Sequence, residues 1–317
     1  MSFHITSERE EDLDLIQITD LISGIQVRIL PDVGALLHEF SIPAGNRRIQ
    51  VINNYKNQSD LKKTLSLTYK SSKLSPFICR IAGGKYQFEG ISYEFENKFP
   101  DGSAIHGILF NKPFTVLEKT VDHDQASVLL TYHYKSENPA YPFVYIINVK
   151  YTLKTGGRLY LDTTIVNKST GRIPISDGWH PYFNLEGRVN DWLLSFRSKK
   201  NLAFNENLIP TGQMIETDKF YFPRKIDDEF FDHCFLLEPF SDSPAVILEN
   251  PKNHLRLSFF PDKQYPYLQI YTPEDRASIA IENLSGAPDC FNNGIGLIML
   301  EPGGTESFSV LYQLDFR

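Results

Sequence analysis

Alternation of apolar and polar side chains with a period of two runs through much of this chain. It is clearest over residues 128–134, 159–165, 255–259 and 308–314. Because successive side chains of a strand point to opposite faces of a sheet, this period predicts half-buried β-strands. β-Branched and aromatic residues are frequent in the same runs, and strands favour them. The chain is therefore expected to be built mainly from strands.

Turn-forming residues and the shortage of helix signals support this expectation. Lys-Thr-Gly-Gly at 154–157, Asn-Gly at 293–294 and Glu-Pro-Gly-Gly at 301–304 are turn signals between such runs. The 19 prolines and 19 glycines leave little room for long helices, and the best candidate is a short one from Ser59 to Leu65. No strand–helix–strand repeat is found, which argues against Rossmann and TIM-barrel folds.

The length and composition suit one large folded unit. Of the 317 residues, 41% are hydrophobic and 22% charged, which is typical of a globular protein. No linker or internal repeat interrupts them, and the polar segments 101–103 and 205–222 are expected to be long loops. All-β architectures can be large single domains. The prediction is an all-β fold with one domain over residues 1–317, a large antiparallel β-sandwich of twisted sheets packed face to face.

Charge and targeting signals limit the partners and the compartment. The net charge of −7 argues against nucleic acid or an anionic membrane, which would call for a basic face. The N-terminus lacks the features of a signal peptide, and no apolar run is long enough to span a membrane. Cys79, Cys234 and Cys290 form no Cys-x-x-Cys pair, which disfavours a disulfide framework and a zinc site. We expect a cytoplasmic monomer or homodimer with an uncharged small-molecule partner.

Two side chains could provide acid–base chemistry. His180 stands among aromatic residues in the segment Gly178–Leu185, and Glu282 ends the strand-like run Ile-Ala-Ile-Glu. In that run the two isoleucines share one face, so Glu282 shares the other with the small Ala280, where a ligand groove could form. A histidine that gives a proton and a carboxylate that takes one are the minimum for acid–base catalysis on a neutral substrate. Neither a dinucleotide nor a P-loop motif is present, and we expect no cofactor or metal.

Five segments, in order from residue 79 to the C-terminus, resemble the aldose 1-epimerase (galactose mutarotase) family. They are Cys79-Arg80-Ile81 with the strand after it, Ile105-His106-Gly107, His180-Pro181-Tyr182-Phe183-Asn184-Leu185, Pro210-Thr211-Gly212 with Asp232-His233-Cys234-Phe235 beyond it, and Glu282-Asn283 with Pro288-Asp289 and Pro302-Gly303. Each motif is short, and the third is the most specific. Their shared order identifies the chain as a divergent member and implies the galactose mutarotase-like supersandwich fold.

The chain departs from the family pattern at three places. Cys79 stands where the family has an asparagine beside the arginine, and Asn283 follows the glutamate where threonine or serine is usual. After His106-Gly107, Ile108 replaces the family's second glycine. These departures concern the choice of sugar more than the chemistry.

The resemblance implies a cofactor-independent isomerase that interconverts the α and β anomers of a free hexose by opening and closing its ring. In this family's pattern, Glu282 would be the catalytic base and His180 the catalytic acid. Arg80, His106 and Asp232 would bind the hydroxyl groups of the sugar.

Two other functions would fit the same fold. A hexose-6-phosphate 1-epimerase would share the mechanism but needs a cluster of Arg or Lys for the phosphate, and among the motif residues only Arg80 is a cation. A non-catalytic sugar-binding or sugar-sensing protein would keep Asp232 and aromatic residues without needing Glu282 and His180 together. The presence of both favours the enzyme.

The assignment carries two further expectations. The five residues should converge on one groove, with the carboxylate and the imidazole on opposite sides of a space about as wide as a sugar ring. His180 should be protonated in the working enzyme, because a nearby carboxylate favours the charged imidazole.

Overall fold

The chain begins with a five-stranded antiparallel sheet whose strands follow one another in sequence order. This computed structural model describes residues 2–316. The strands are β1 (Phe3–Glu10), β2 (Leu13–Asp20), β3 (Gln26–Leu30), β4 (Leu36–Ala44) and β5 (Arg47–Gln50). Ile18, Val27 and Phe40 are fully buried and place one face of this sheet against the main hydrophobic core.

Helix α1 (Gln58–Thr68) follows the first sheet and lies where the sequence predicts a helix from Ser59 to Leu65. The Asn57 side chain caps its first turn by accepting a hydrogen bond from the N–H of Asp60 at 2.9 Å. Tyr69 ends it in the left-handed conformation, with φ of 49°. In residues 2–316 no helix is both long and apolar enough to cross a membrane.

Five short strands follow this helix before the longer strands begin. They are β6 (Lys73–Leu74), β7 (Arg80–Ile81), β8 (Lys85–Phe88), β9 (Ile91–Glu94) and β10 (Ala104–Ile105). A 3₁₀ turn at Ala82–Gly84 separates β7 from β8. The polar segment 101–103 is a loop, as the sequence predicts.

The remaining strands carry most of the fold. They are β11 (Thr115–Val121), β12 (Gln125–Lys135), β13 (Val144–Lys154), β14 (Arg158–Asn167), β15 (Ile173–Ile175), β16 (Gly178–Trp179), β17 (Tyr182–Phe183), β18 (Leu193–Phe196), β19 (Ser198–Phe204), β20 (Pro210–Glu216), β21 (Arg224–Lys225), β22 (Asp232–Leu237), β23 (Val246–Asn250), β24 (Leu255–Pro261), β25 (Tyr267–Tyr271), β26 (Ile279–Leu284), β27 (Ile298–Leu300) and β28 (Thr305–Phe316). A 3₁₀ turn spans Val189–Asp191, and a short helix, α2, spans Cys290–Asn293.

Two large antiparallel sheets pack face to face. One has nine strands in the order β11-β12-β13-β14-β28-β24-β23-β18-β21. The other has the order β20-β19-β22-β25-β26-β16-β6, and β17 also pairs with β26. Between them, the Phe183 ring lies 5.0 Å from that of Phe259 and 5.5 Å from that of Tyr312, measured between centroids. The predicted all-β, antiparallel sandwich is confirmed.

Two local expectations need correction. The segment 205–222, expected to be a loop, contains β20, an edge strand whose residues after Pro210 are all exposed. Such a strand buries no apolar face, so its sequence carries no alternation, and backbone pairing with β19 alone defines it. The Asn-Gly pair at 293–294 does not turn between strands but ends α2, with Gly294 at φ of 74°.

One hydrophobic cluster extends from Phe3 to Leu314 and includes residues of all three larger sheets. A smaller cluster lies beneath α1, around Tyr55 and Leu61. The single domain over residues 1–317 stays a prediction.

Candidate active site

Strand β26 carries Glu282 on the open face of its sheet. Side chains alternate along a strand, so Ala280 and Glu282 share one face, while Ile279 and Ile281 share the other and are fully buried in the core. The strand is central, with β25 on one side and β16 and β17 on the other. This is the face that the sequence predicts for Glu282.

The strand register brings His180 next to Glu282. Tyr182 on β17 pairs with Ala280, so the residue two positions before Tyr182 lies beside the residue two positions after Ala280. His180 Nε2 is 3.4 Å from Glu282 Oε1. On the other side of β26, Gln269 pairs with Glu282. Backbone pairing therefore sets this contact between residues about a hundred positions apart.

All five residues singled out in the sequence line one cavity of 450 Å³: Arg80, His106, His180, Asp232 and Glu282. The expectation that the imidazole and the carboxylate lie on opposite sides of a ring-wide space is wrong, because adjacent paired strands hold them in contact. The catalytic and binding roles of the five residues stay predictions.

Burial controls the protons of the His180–Glu282 pair. The side chains are only 7% and 2% exposed. Burial disfavours both charged forms, so it lowers the pKa of His180 to about 4 and raises the pKa of Glu282 well above its ordinary value. The contact itself would favour an ion pair, but loss of hydration outweighs it. Burial therefore favours the uncharged forms of both side chains in the ligand-free protein, and a protonated His180 in the working enzyme stays a prediction.

The pKa of His180 can be tested directly. We expect the imidazole to be neutral at pH 6 and to gain its proton only near pH 4. An NMR titration of the ring resonances measures this, with a His180→Asn variant to assign them. A midpoint at or above the ordinary 6.5 would show that the contact with Glu282 outweighs burial.

His106 packs its ring edge-on against His180, with centroids 4.6 Å apart. Its backbone is left-handed, with φ of 59°, and its N–H donates to the carbonyl of Cys79 at 2.8 Å. The next residue must be glycine, because a Cβ on Gly107 would lie 2.3 Å from the carbonyl oxygen of Ser75. Burial lowers the pKa of His106 well below its ordinary value, so it offers a neutral imidazole.

Arg80 and Asp232 provide a cation and an acceptor in the same cavity. Arg80 Nε donates to Asp101 Oδ2 at 3.1 Å, which ties it to the loop before β10. Asp232 Oδ1 accepts a hydrogen bond from Gln269 Nε2 at 2.8 Å. Burial raises the pKa of Asp232, and the guanidinium of Arg80 opposes that shift.

Several buried polar atoms at this site have no hydrogen-bond partner among the described residues: His106 Nδ1, His180 Nδ1, Gln269 Oε1 and Glu282 Oε2. Buried polar groups are normally paired, and these four atoms leave hydrogen bonds that a polar ligand in the cavity would complete. Hydroxyl groups, which both donate and accept, suit such a mixed set.

His106, His180 and Glu282 are also the one group within residues 2–316 whose side chains could together hold a metal ion. Their donor atoms lie within 4.8 Å of one another. Imidazole and carboxylate donors suit zinc or another first-row transition metal. The absence of a metal cofactor stays a prediction.

Sequence reasoning missed several cavity residues. Gln269 is the clearest, because it is a lone amide in the apolar strand Tyr-Leu-Gln-Ile-Tyr, and this signal could have found it. Asn53, Lys70 and Ser278 carry no such signal and come together only through the tertiary fold. Cys79, one of the departures from the family pattern, lies in the cavity wall, and burial raises the pKa of its thiol.

Two known proteins are similar in sequence to this chain over most of its length. The uncharacterized protein YihR of Escherichia coli K12 is 30% identical over 247 residues, which cover 75% of this chain and 77% of that protein. Maltose epimerase of Levilactobacillus brevis is 27% identical over 275 residues, which cover 80% of this chain and 78% of that protein.

Solved structures share the fold over nearly the full length. A galactose mutarotase-like protein of Clostridium acetobutylicum superposes with a TM-score of 0.88 at 22% identity, covering 100% of this chain and 99% of that one. Galactose 1-epimerase of Lactobacillus acidophilus superposes with a TM-score of 0.81 at 20% identity, covering 99% and 98%. The model of the aldose 1-epimerase family matches residues 14–313. This chain belongs to the aldose 1-epimerase family.

Proposed function

We propose that this protein is an aldose 1-epimerase that interconverts the α and β anomers of a free sugar. The observation that carries the proposal is the buried contact of 3.4 Å between His180 Nε2 and Glu282 Oε1 in the 450 Å³ cavity. An acid and a base this close can serve two oxygens bonded to the same carbon. The anomeric hydroxyl and the ring oxygen of a cyclic aldose are both bonded to C1.

The proposed reaction moves two protons and breaks one bond. Glu282 takes the proton of the C1 hydroxyl, the C1–O5 bond breaks, and the ring oxygen takes a proton from His180. After rotation about C1–C2, the ring closes on the other face of C1, and both protons return. The protein ends unchanged, so the reaction balances without a cofactor.

Burial favours the protonated carboxyl group of Glu282 and the neutral imidazole of His180, so the proposed mechanism requires a proton to move from Glu282 to His180 when sugar binds. The direct contact between the two groups provides the path. Sugar hydroxyls that donate to Glu282 would stabilise its carboxylate, because hydrogen bonding to a charged form favours that form. Glu282 Oε2 has no partner among the described residues and is available for such a bond.

The other cavity residues would hold the sugar in place. Asp232 and Gln269 form one hydrogen-bonded pair, and Arg80 offers a planar group of donors suited to adjacent hydroxyls. The names of the relatives refer to galactose and to maltose, so we propose the substrate class only as a free aldose.

We also propose that the enzyme acts as one domain in the cytoplasm. The continuous hydrophobic cluster supports the first point. The second is supported by Cys79, Cys234 and Cys290, which are all buried and free, because free thiols are usual in a reducing compartment.

Polarimetry tests the proposed function. The protein should speed the equilibration of freshly dissolved α-glucose or α-galactose above the spontaneous rate, in proportion to its concentration. Calorimetric binding of a sugar with no acceleration would show a sugar-binding protein instead of an enzyme. Acceleration confined to glucose 6-phosphate would show a hexose-6-phosphate 1-epimerase.

A further inference from the structure

Three side chains of the cavity have the composition and the spacing of a metal site. His106, His180 and Glu282 each offer one nitrogen or oxygen atom, and these three atoms lie within 4.8 Å of one another. His180 Nε2 and Glu282 Oε1 are 3.4 Å apart. Two ligand atoms that each lie about 2.0–2.1 Å from a tetrahedral ion are about 3.3–3.4 Å from one another. This pair therefore already has the separation of two ligands of one ion.

The backbone holds the three side chains in place before any ion binds. Glu282 lies on the central strand β26, and β17, which begins two residues after His180, pairs with that strand. The N–H of His106 donates to the carbonyl of Cys79 at 2.8 Å, and its ring packs edge-on against that of His180. Ligands that are already ordered lose little conformational freedom on binding, which favours affinity.

The same three side chains contain buried polar atoms without partners. Within residues 2–316, His106 Nδ1, His180 Nδ1 and Glu282 Oε2 have no hydrogen bond. The side chains of His180 and Glu282 are only 7% and 2% exposed, so solvent has little access to them. A bound ion would give the carboxylate and one nitrogen of each imidazole the partner that buried polar groups normally have.

The charges around the cluster permit a divalent cation. Arg80, the nearest cation, is paired with Asp101 through its Nε at 3.1 Å. Lys70 and Asp275 both line the cavity and carry opposite charges. Asp232 lines it as well and adds a second carboxylate to that of the cluster. The positive charges are thus offset, and the two remaining carboxylates favour an ion of charge +2.

We propose that His106, His180 and Glu282 bind a divalent first-row transition-metal ion, with zinc as the best fit, and that this ion inhibits the enzyme. Two imidazoles and one carboxylate are a ligand set that zinc uses in proteins, with a fourth position left for water. The bound ion occupies the lone pairs that the proposed mechanism uses for proton transfer, so zinc and sugar compete. The inhibition rests on the proposed function, whereas the binding of the ion does not.

The site suits a reversible inhibitor better than a permanent cofactor. In permanent zinc sites the second nitrogen of a ligating histidine usually donates to a carboxylate or a carbonyl, which orients the ring. If His180 ligates through Nε2, its Nδ1 lacks such a partner among the described residues. The loss of such partners typically weakens metal binding 10–100-fold. We therefore expect an affinity low enough for a chelator to remove the ion quickly.

Titration with zinc chloride tests the site on the full chain. In calorimetry without sugar, the metal-free protein should bind one zinc ion per chain, and a saturating aldose should weaken that binding. Zinc should lower the rate of anomer exchange measured by polarimetry, and EDTA should restore it. Cobalt(II), added in place of zinc, should give the visible absorption of a four-coordinate ion.

Two variants assign the ligands. His106→Asn should weaken zinc binding at least about tenfold, because one ligand is lost, and asparagine tolerates the left-handed backbone at this position. Glu282→Gln should weaken it in the same direction, because an amide carries no charge, and serves if the first variant fails to fold. His123→Asn, in the exposed turn between β11 and β12, is the matched control and should keep the wild-type zinc affinity.

Each outcome separates the metal site from the activity. No zinc binding, or an affinity that is the same in the wild type and in all three variants, would overturn the site and leave the epimerase intact. Zinc that binds and raises the rate would overturn the inhibition and show a cofactor instead. Binding that the His106 and Glu282 variants weaken, in a protein inactive on every sugar, would support the metal site and overturn its inhibitory role.

Discussion

Replacing Glu282 with glutamine is expected to lower the catalysed rate of anomer exchange by about 10²–10⁴-fold, the usual contribution of a positioned acid or base. Glutamine has nearly the same shape and keeps hydrogen bonds in the cavity, but it cannot take a proton from the C1 hydroxyl. The loss should appear in kcat, with sugar binding largely retained. Polarimetry measures the rate, and calorimetric titration with the same sugar measures the affinity.

The Glu282 variant is also expected to fold normally, so a loss of activity would reflect the chemistry and not unfolding. Burial already favours the uncharged carboxyl group over the carboxylate, so a neutral amide adds little cost at this position. Glu216→Gln, on the exposed edge strand β20, is the matched control and should keep full activity. Near-normal turnover in the Glu282 variant would disprove its role as the base and the mechanism built on it.

The sequence predicts those features that depend on local pattern. The strands at 125–135, 158–167, 255–261 and 305–316 all lie where the alternation predicts them. The same alternation assigns Glu282 to the face of β26 opposite the buried isoleucines, which the structure bears out. Edge strand β20 could not be predicted from the sequence, because its exposed side chains show no alternation and the strand is formed by backbone hydrogen bonds.

The features that the sequence could not provide depend on pairing between distant segments. The contact between His180 and Glu282 follows from the register of β17 on β26, which no local pattern contains. The direction of both pKa shifts then follows from burial, which only the packed structure reveals. The same holds for three polar residues of the cavity wall that are distant in sequence. Lys70 follows helix α1, Asn53 lies in a loop and Ser278 precedes strand β26, and only the tertiary fold brings them into contact.

A buried ion pair supports the segment that carries His180. Lys73 on β6 and Asp177 just before β16 are both 0% exposed, and their charged atoms are 2.5 Å apart. Lys73 Nζ also donates to the carbonyl of Gly178 at 3.0 Å and lies 4.5 Å from the centroid of the Trp179 ring. Burial lowers the pKa of Lys73 to about 8 and raises that of Asp177, so loss of hydration outweighs the attraction between the two groups. The pair is costly to bury and therefore sensitive to the loss of either partner.

Replacing Lys73 with methionine is expected to lower the free energy of unfolding by about 3–5 kcal/mol, because Asp177 then stays buried without its cation. The methionine fills much of the lysine volume, so the effect reports the lost charge more than a cavity. Urea unfolding of the wild type and the variant, followed by tryptophan fluorescence, measures the difference.

The double variant Lys73→Met with Asp177→Asn distinguishes charge from packing. It removes both charges, and the amide oxygen can still accept from the hydroxyl of Tyr265, which now donates to Asp177 at 2.6 Å. Replacing both members of a buried pair is often nearly neutral, so the double variant should recover most of the lost stability. If it is as unstable as the single variant, the loss arises from packing around Trp179. In that case the ion pair is not what holds the strand before His180 in place.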